Sequence, residues 1–314
     1  MRAQRRIHGH FTIRRMCGHM TSRLVLGAAN YGKLTQVEVN KLLGTAFESG
    51  ISTIDTAHGY EGSEERIGAF LKTNKGYEVN TKVGLPDPTE FTPSGIKLSI
   101  EESLMRLGIE SLGTLFVHSL PAAHLTEENI AAMISLKAEG KIRRIGYAGD
   151  GDNLRSAVEI HTFDDYIATF NIIDQSNSKE IKKASENSDI YYKLAMGQAV
   201  WTSLEWKRRL KSHRIMRLLF NKSPVPGSWV DYCARFNSFK SEMDNRDFAK
   251  TFLRFALFSG SSRQLVILGT NSPQHVRDAI KVESEQLHAD SIQITRYEDL
   301  WIRKSSPEWK AHVG

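Results

Sequence analysis

The sequence predicts an α/β protein of the (β/α)8 TIM-barrel class, a single domain with a long insertion between its seventh and eighth units. Three observations lead there. After Met20, eight short apolar runs alternate with amphipathic helical segments, the order that closes a parallel barrel. The chain has 314 residues, an ordinary length for one such barrel. The structural competitor, an open doubly wound sheet, is weakened because no G-x-G-x-x-G turn follows the first run.

The strand-like runs are Leu24–Gly27, Ser52–Asp55, Glu78–Val83 and Leu112–His118, then Arg144–Ala148, Asp165–Thr169, Ile190–Leu194 and Leu265–Gly269. The helix after the first run places Val39, Leu42, Leu43, Ala46 and Phe47 at i, i+3, i+4, i+7 and i+8, one buried face. The next helix opens in GSEERIG, where the Ser63 hydroxyl is expected to cap free amides, with Glu64 and Glu65 favourable in the first turn. Further helices fit 94–107, 127–138, 153–160, 178–186, 247–258 and 273–283. Residues 202–245 break this rhythm, carrying Trp206, Lys207, Arg208, Arg209, Lys211, Trp229, Tyr232 and Phe236. They read either as a long loop or extra helices shaping a substrate pocket near the barrel mouth, or as a solvated insertion with a few packed aromatics.

Hydrophobic residues make up 40% and charged residues 25%, a globular balance. No apolar run is long enough to span a membrane. Cys17 and Cys233 form neither a disulfide framework nor a zinc motif, so a reducing, cytoplasmic setting is expected. The net charge of +6 does not point to nucleic acid. Most of the excess comes from Arg2, Arg5, Arg6, Arg14 and Arg15, in a stretch without acids, and the body is nearly neutral. Residues 1–20 are therefore set apart as a basic extension: a disordered tail, an upstream start ahead of Met20, or a targeting segment. The barrel is assigned to 21–314.

Four residues carry chemistry. Asp55, Lys82 and His118 close the second, third and fourth runs, and Tyr60 follows on the loop after the second. In a parallel barrel the carboxyl ends of the strands meet at one mouth. A lysine at the inner end of a buried strand needs a carboxylate, and Asp55 is the candidate. Lys82 near Tyr60 is expected to stabilise the phenolate and lower its pKa from about 10. His118 is placed to hydrogen-bond a substrate oxygen. Such a group serves as proton donor to a carbonyl oxygen in a hydride reduction.

The segments LGAANYG, FESGISTIDTAHGYEGSEERIGAFL, TKVG, LFVHSL, EGKIRRIGYAGD and VILGTNSPQHVRDAI, in this order across residues 21–283, resemble the aldo-keto reductase family. DTAHGYEGSEERIG has the length of the family's DTAxxYGxSExxIG and departs from it after the tyrosine, where Glu61-Gly62 stands in place of Gly-x. The resemblance implies an NAD(P)H-dependent oxidoreductase that reduces an aldehyde or ketone to an alcohol, or runs the reverse. It implies Tyr60 as general acid beside Asp55, Lys82 and His118. NADPH is the implied cofactor, with NADH possible, and a small carbonyl or alcohol the implied partner.

Cofactor contacts implied by the resemblance are Gly27, Ala28 and Asp55, and at the phosphate end Gly269, Thr270, Asn271 and Ser272, leading into the last helix. His275 occupies the position where an arginine often meets the adenosine 2′-phosphate, and Arg277 lies nearby. The nicotinamide side departs from the family pattern. Ala148-Gly149 stands where Ser-Asn is common, Ile167 where a glutamine is, and the stacking tyrosine is replaced near Ala195 or Met196. These losses motivate an alternative: a catalytically weak pseudoenzyme or cofactor-binding regulatory subunit on the same barrel. GYAGDGDNL and MGQAVW mark a divergent branch. Asp150, Asp152 and Asn153 lack the later bidentate glutamate of a calcium loop, so no metal is expected. Neither the substrate nor the oligomeric state follows from the sequence.

Overall fold

The computed structural model describes residues 15–16, 19–20, 22–201, 229–243, 247–260, 264–285 and 290–305. Strands β1 (Leu24–Gly27), β2 (Thr53–Asp55), β3 (Glu78–Val83) and β4 (Leu112–His118) are followed by β5 (Ile142–Ala148), β6 (Asp165–Thr169), β7 (Asp189–Lys193) and β8 (Gln264–Gly269). Each pairs in parallel with the next, and β8 pairs with β1, closing the barrel. The open sheet is excluded. Around the barrel lie α1 (Gln36–Glu48), α2 (Ser63–Leu71), α3 (Pro93–Leu107), α4 (Glu127–Ala138), α5 (Gly151–Ile160), α6 (Ser178–Ala184), α7 (Trp229–Phe239), α8 (Phe248–Phe258), α9 (Pro273–Ser284) and α10 (Asp290–Lys304).

The strand alternation makes two cores. Leu24, Leu26, Leu115, Val117, Ile145, Tyr147, Tyr166, Ile190, Tyr192, Val266 and Leu268 face the helices and join their buried faces. Val25, Phe116, Ala148, Ile167 and Tyr191 form a second cluster with Leu265 and Ile267 inside the barrel. The interior is thus filled by side chains. Phe116 fits there because its neighbour on β5 is Gly146, where a Cβ would lie 2.5 Å from the Phe116 ring.

Most elements match the sequence pattern within a residue or two; α1 begins on a capping box made by Thr35 and Glu38. Two local expectations are corrected. On α1, Val39, Leu42, Leu43 and Ala46 are buried, but Phe47 is 44% exposed and lies beside Tyr77, with ring centroids 5.2 Å apart. Ser63 does not cap α2. The cap position is Gly62, in a left-handed conformation, with no side-chain cap bond. In the basic extension, Arg15–Met16 pairs antiparallel with His19–Met20, so part of that stretch has local pairing of its own.

Of the insertion, Trp206 through Lys211 lie outside the described residues. The part that follows, α7, is anchored and not solvated. Arg235, 1% exposed, places Nη1 2.9 Å from Asp174 Oδ2, and the Tyr232 hydroxyl donates to the same oxygen at 2.8 Å. Asp174 lies in the segment after the carboxyl end of β6. Phe236 packs with Trp201 and Phe252. Removing one partner of a buried ion pair strands the other charge, which costs about 3–5 kcal/mol. Asp174→Ala is therefore expected to lower the urea midpoint by the equivalent amount at unchanged m value. An unmoved midpoint would show that this pair does not hold the insertion to the barrel.

Candidate active site

Asp55 ends β2 and Lys82 lies next to the end of β3, both pointing into the barrel mouth. Lys82 Nζ donates to Asp55 Oδ1 at 2.7 Å, to Oδ2 at 2.6 Å and to the Thr56 carbonyl at 2.7 Å. All three ammonium protons are thus committed. Both side chains are buried. Burial pushes the Asp55 carboxyl up more than the Lys82 and Lys193 ammoniums pull it down.

The loop after β2 keeps pairing with β3: Thr56 N–H donates to the Asn80 carbonyl at 2.9 Å, and His58 N–H to the Lys82 carbonyl at 3.0 Å. A turn then carries Tyr60 back over the pair, with its amide on the Ala57 carbonyl at 3.0 Å. Lys82 Nζ lies 5.4 Å from the centre of the Tyr60 ring. The His118 ring meets that ring edge-on, 5.8 Å between centroids. All four expected residues converge. Glu61 is seated against Gly32, where a Cβ would fall 1.7 Å from the Glu61 carbonyl oxygen; no larger residue fits at 32.

Ser63 and Glu64 brace this loop. The Ser63 hydroxyl donates to the Ala28 carbonyl at 2.9 Å and meets Thr56 Oγ1 at 2.9 Å, which is why it is not free to cap α2. Glu64, fully buried, accepts from Thr81 Oγ1 at 2.8 Å and pairs with Arg106 at 3.0 Å. The sequence pattern carries Glu64 only as a first-turn acid; its partner on α3 is 42 residues away.

The electrostatics correct one expectation. Tyr60 is pushed up to about 12 by burial and then by the Asp55 charge, with Lys193 pulling the other way. Burial and the Asp55 charge outweigh the cations of the site. Tyr60 is accordingly protonated through neutral pH. His118 is lowered to about 4 by burial and then by Lys82 and Lys193, and its Nδ1 is a buried atom without a hydrogen-bond partner. A neutral imidazole is a hydrogen-bonding group here and not an acid.

Sequence reasoning missed Lys193. It is the last residue of β7, inward by the same alternation that sends Tyr191 into the barrel. Its Nζ lies 2.7 Å from Asp150 Oδ2. The signal was available: a lysine two residues beyond an inward tyrosine. Ala195 is buried and Met196 half-buried; Lys193, and neither of these, closes the strand toward the mouth.

On the strand that adjoins β7, Gly269 ends β8 with nothing within 4 Å of where its Cβ would be. α9 starts at Pro273, and Ser272 makes no side-chain cap bond to it. Ser272 N–H instead donates to Thr270 Oγ1 at 3.1 Å, and that oxygen meets His275 Nδ1 at 3.1 Å. Asn271, His275 and Arg277 are exposed. An open glycine step beside a helix start without a side-chain cap suits a phosphate. Gly27 pairs with both Gly269 and Asp55, and Ala28 N–H donates to the Asp55 carbonyl at 2.9 Å. The residues expected to hold a dinucleotide thus run from the four-residue group to α9, and the unpartnered His118 Nδ1 leaves one buried polar atom in the mouth for a ligand. On these observations they fit such a group.

A sequence model described as the Aldo/keto reductase family matches residues 23–297, and the chain belongs to that family. Among curated proteins, it is 33% identical to the D-threo-aldose 1-dehydrogenase of a Pseudomonas species, over 38% of this chain and 47% of that protein. It is 31% identical to the NADH-specific methylglyoxal reductase of Escherichia coli, over 43% and 49%. The matched region thus spans about half the length of these relatives. Among solved structures, the glycerol dehydrogenase of Gluconobacter oxydans superposes with a TM-score of 0.70 at 21% identity, covering 93% of this chain and 97% of that one. An aldo/keto reductase from Klebsiella pneumoniae, in complex with NADP and acetate, gives 0.65 at 18%, covering 90% and 92%. At such identities these likenesses speak to the fold.

The His118 shift has a consequence for stability. As pH falls from the usual histidine value of 6.5 toward 4, the unfolded chain takes up a proton that the folded chain refuses, so stability is lost across that window. His118→Gln should remove this component, flattening the acid limb of the stability curve relative to the wild type. By NMR, the His118 ring should show no titration above pH 6; a midpoint near 6.5 would contradict the buried, neutral imidazole.

Proposed function

We propose that this chain is an NAD(P)H-dependent oxidoreductase that reduces an aldehyde or ketone to an alcohol, with Tyr60 as general acid and NADPH as the cofactor. The observation that carries the reading is the Asp55–Lys82 pair buried beneath the Tyr60 ring, with His118 against the same ring. The curated relatives named as a dehydrogenase and a reductase support it, as does the neighbour solved with NADP. Bound NAD(P)H would supply the hydride for the carbonyl carbon.

The protein's part is the proton. Tyr60, protonated at neutral pH, gives its hydroxyl proton to the carbonyl oxygen, so that aldehyde or ketone becomes alcohol and Tyr60 is left as phenolate, to be reprotonated from solvent. Neutral His118 donates a hydrogen bond to that oxygen and orients it. Asp55 holds Lys82 in place, and the Lys82 charge lies under the ring on which the phenolate forms. Gly27, Ala28 and the Gly269–Ser272 turn would hold the dinucleotide, with His275 and Arg277 near a 2′-phosphate. Packing of α7 against segments that follow β6 and β7 supports a role for the insertion in shaping the substrate pocket.

Fluorescence titration is expected to show NADPH binding, with a dissociation constant between about 1 μM and 1 mM; a parallel titration with NADH reads the preference. Tyr60→Phe keeps the ring but removes the proton. It should leave cofactor affinity nearly unchanged and slow single-turnover oxidation of bound NADPH by a reactive aldehyde about 10²- to 10⁴-fold. Equal rates would remove Tyr60 from the mechanism. Cofactor binding without turnover of any carbonyl would favour the pseudoenzyme alternative.

A further inference from the structure

Beyond Asp55 and Lys82, the mouth holds a second lysine–aspartate pair, and there it is the aspartate that is used up. Asp150 Oδ1 accepts from the Thr169 amide at 2.7 Å and from Asn177 Nδ2 at 2.9 Å. Its Oδ2 accepts from Thr169 Oγ1 at 3.1 Å and from Lys193 Nζ at 2.7 Å. With four donors on two oxygens, Asp150 has nothing left to offer a ligand. Lys193 is the reverse. An ammonium has protons to spare after one hydrogen bond. Among the described residues Lys193 makes only the bond to Asp150, and its side chain is 29% exposed. Thr169 lies opposite Lys193 and Ile167 opposite Tyr191 in the register of β6 and β7. The ammonium therefore stands one inward step beyond Ile167 and Tyr191, toward the mouth.

We propose that Lys193 holds the carboxamide of the nicotinamide by donating to its carbonyl oxygen, and that this chain recognises the reactive end of the dinucleotide through that oxygen alone. The inference rests on the reductase reading. On that reading hydride must reach a carbonyl carbon whose oxygen faces Tyr60 and His118, so the ring that delivers it lies in the mouth beside them. The carboxamide is attached next to the hydride-bearing carbon and enters the mouth with it. Out of water, its oxygen needs a donor. Ala148, Gly149 and Ile167, at the ends of β5 and β6, bring no polar side chain. Lys82 is committed to Asp55 and Thr56, and Tyr60 and His118 serve the substrate oxygen. Lys193 closes the adjoining strand with protons to give, and Asp55, Tyr60 and His118 all respond to its charge. The chemistry also says what is not read. An ammonium donates only, and Asp150 is saturated, so this pair offers no acceptor to the carboxamide NH2. An asparagine or glutamine in its place would offer both a donor and an acceptor. Three apolar positions and one lysine are then two halves of a single exchange, and the apolar positions need not mean a site that has lost its cofactor.

The test reads binding, because loss of the Lys193 charge also acts on Tyr60 and would blur a rate. The full chain is titrated by calorimetry with three ligands. These are NADPH, its reduced acetylpyridine analogue, in which methyl replaces the amide NH2, and adenosine 2′,5′-bisphosphate, which lacks the nicotinamide half. Wild type should bind NADPH and the analogue equally, since both keep the carbonyl oxygen; this comparison needs no variant. Lys193→Met should weaken both about 10- to 100-fold, the size of one charge-assisted hydrogen bond, and leave the bisphosphate unchanged. Lys193→Arg should keep most of the affinity. A spectrum adds a second readout. The dihydronicotinamide band moves electron density from the ring nitrogen onto the carboxamide oxygen, and an ammonium at that oxygen stabilises the excited state. Bound NADPH should therefore absorb at longer wavelength in wild type than in Lys193→Met. Undiminished NADPH affinity in Lys193→Met, an equal loss for the bisphosphate, or an unshifted band would overturn the proposal. So would an analogue about tenfold weaker than NADPH in wild type, the size of one hydrogen bond from the amide NH2. Any of these, with NADPH bound by wild type, leaves the reductase reading standing. NADPH held through Lys193 without turnover of any carbonyl fails that reading and keeps the contact; a wild type that binds neither dinucleotide fails both.

Discussion

A charged lysine buried at the mouth of a closed barrel is the constraint on which the site depends. Desolvating an ammonium costs several kcal/mol unless its charge and each of its protons are met. Lys82 meets that condition with Asp55 from the neighbouring strand and the Thr56 carbonyl just beyond it. Those partners exist only if β2 and β3 pair in the observed register, Asp55 beside Asn80, and if the loop after β2 continues along β3. That path fixes where Tyr60 returns over the pair. A register slip of one residue would turn Lys82 toward the helices and bring Thr81 inward.

Much of this was legible in the sequence because it is local and periodic. Alternating apolar runs gave the strands, and the i, i+3, i+4 spacing gave α1, since both patterns reflect burial against one surface. The four chemical residues were legible because parallel strands must bring their carboxyl ends together. What was not legible depends on contacts between distant segments. Ser63 has the right type and place for a helix cap, and only the approach of Ala28 from the β1 loop diverts its hydroxyl. Glu64 reads as a surface acid until Arg106 of α3 and Thr81 of β3 close over it. The partnership of Arg235 with Asp174 joins the insertion to the segment after β6 across 61 positions in a way no spacing rule encodes.

The Tyr60 expectation failed for a different reason. A lysine near a tyrosine draws its pKa down, but burial and a neighbouring carboxylate push it up, and Asp55, the partner of Lys82, is itself one of the groups that raise Tyr60. Sequence reasoning can place the two side chains near each other, with Nζ 5.4 Å from the ring centre; it cannot weigh that charge against desolvation. The outcome is a tyrosine near 12 that keeps its proton at neutral pH. The charge that draws it down comes from another residue.

That residue is Lys193, the cation that draws Tyr60 downward. Its position is set by Asp150, 2.7 Å away, a carboxylate saturated by the Thr169 amide and hydroxyl and by Asn177. The charge that acts on Tyr60 is therefore fixed by contacts at the end of β6 and in the loops after β5 and β6, far in the chain from the loop that carries Tyr60.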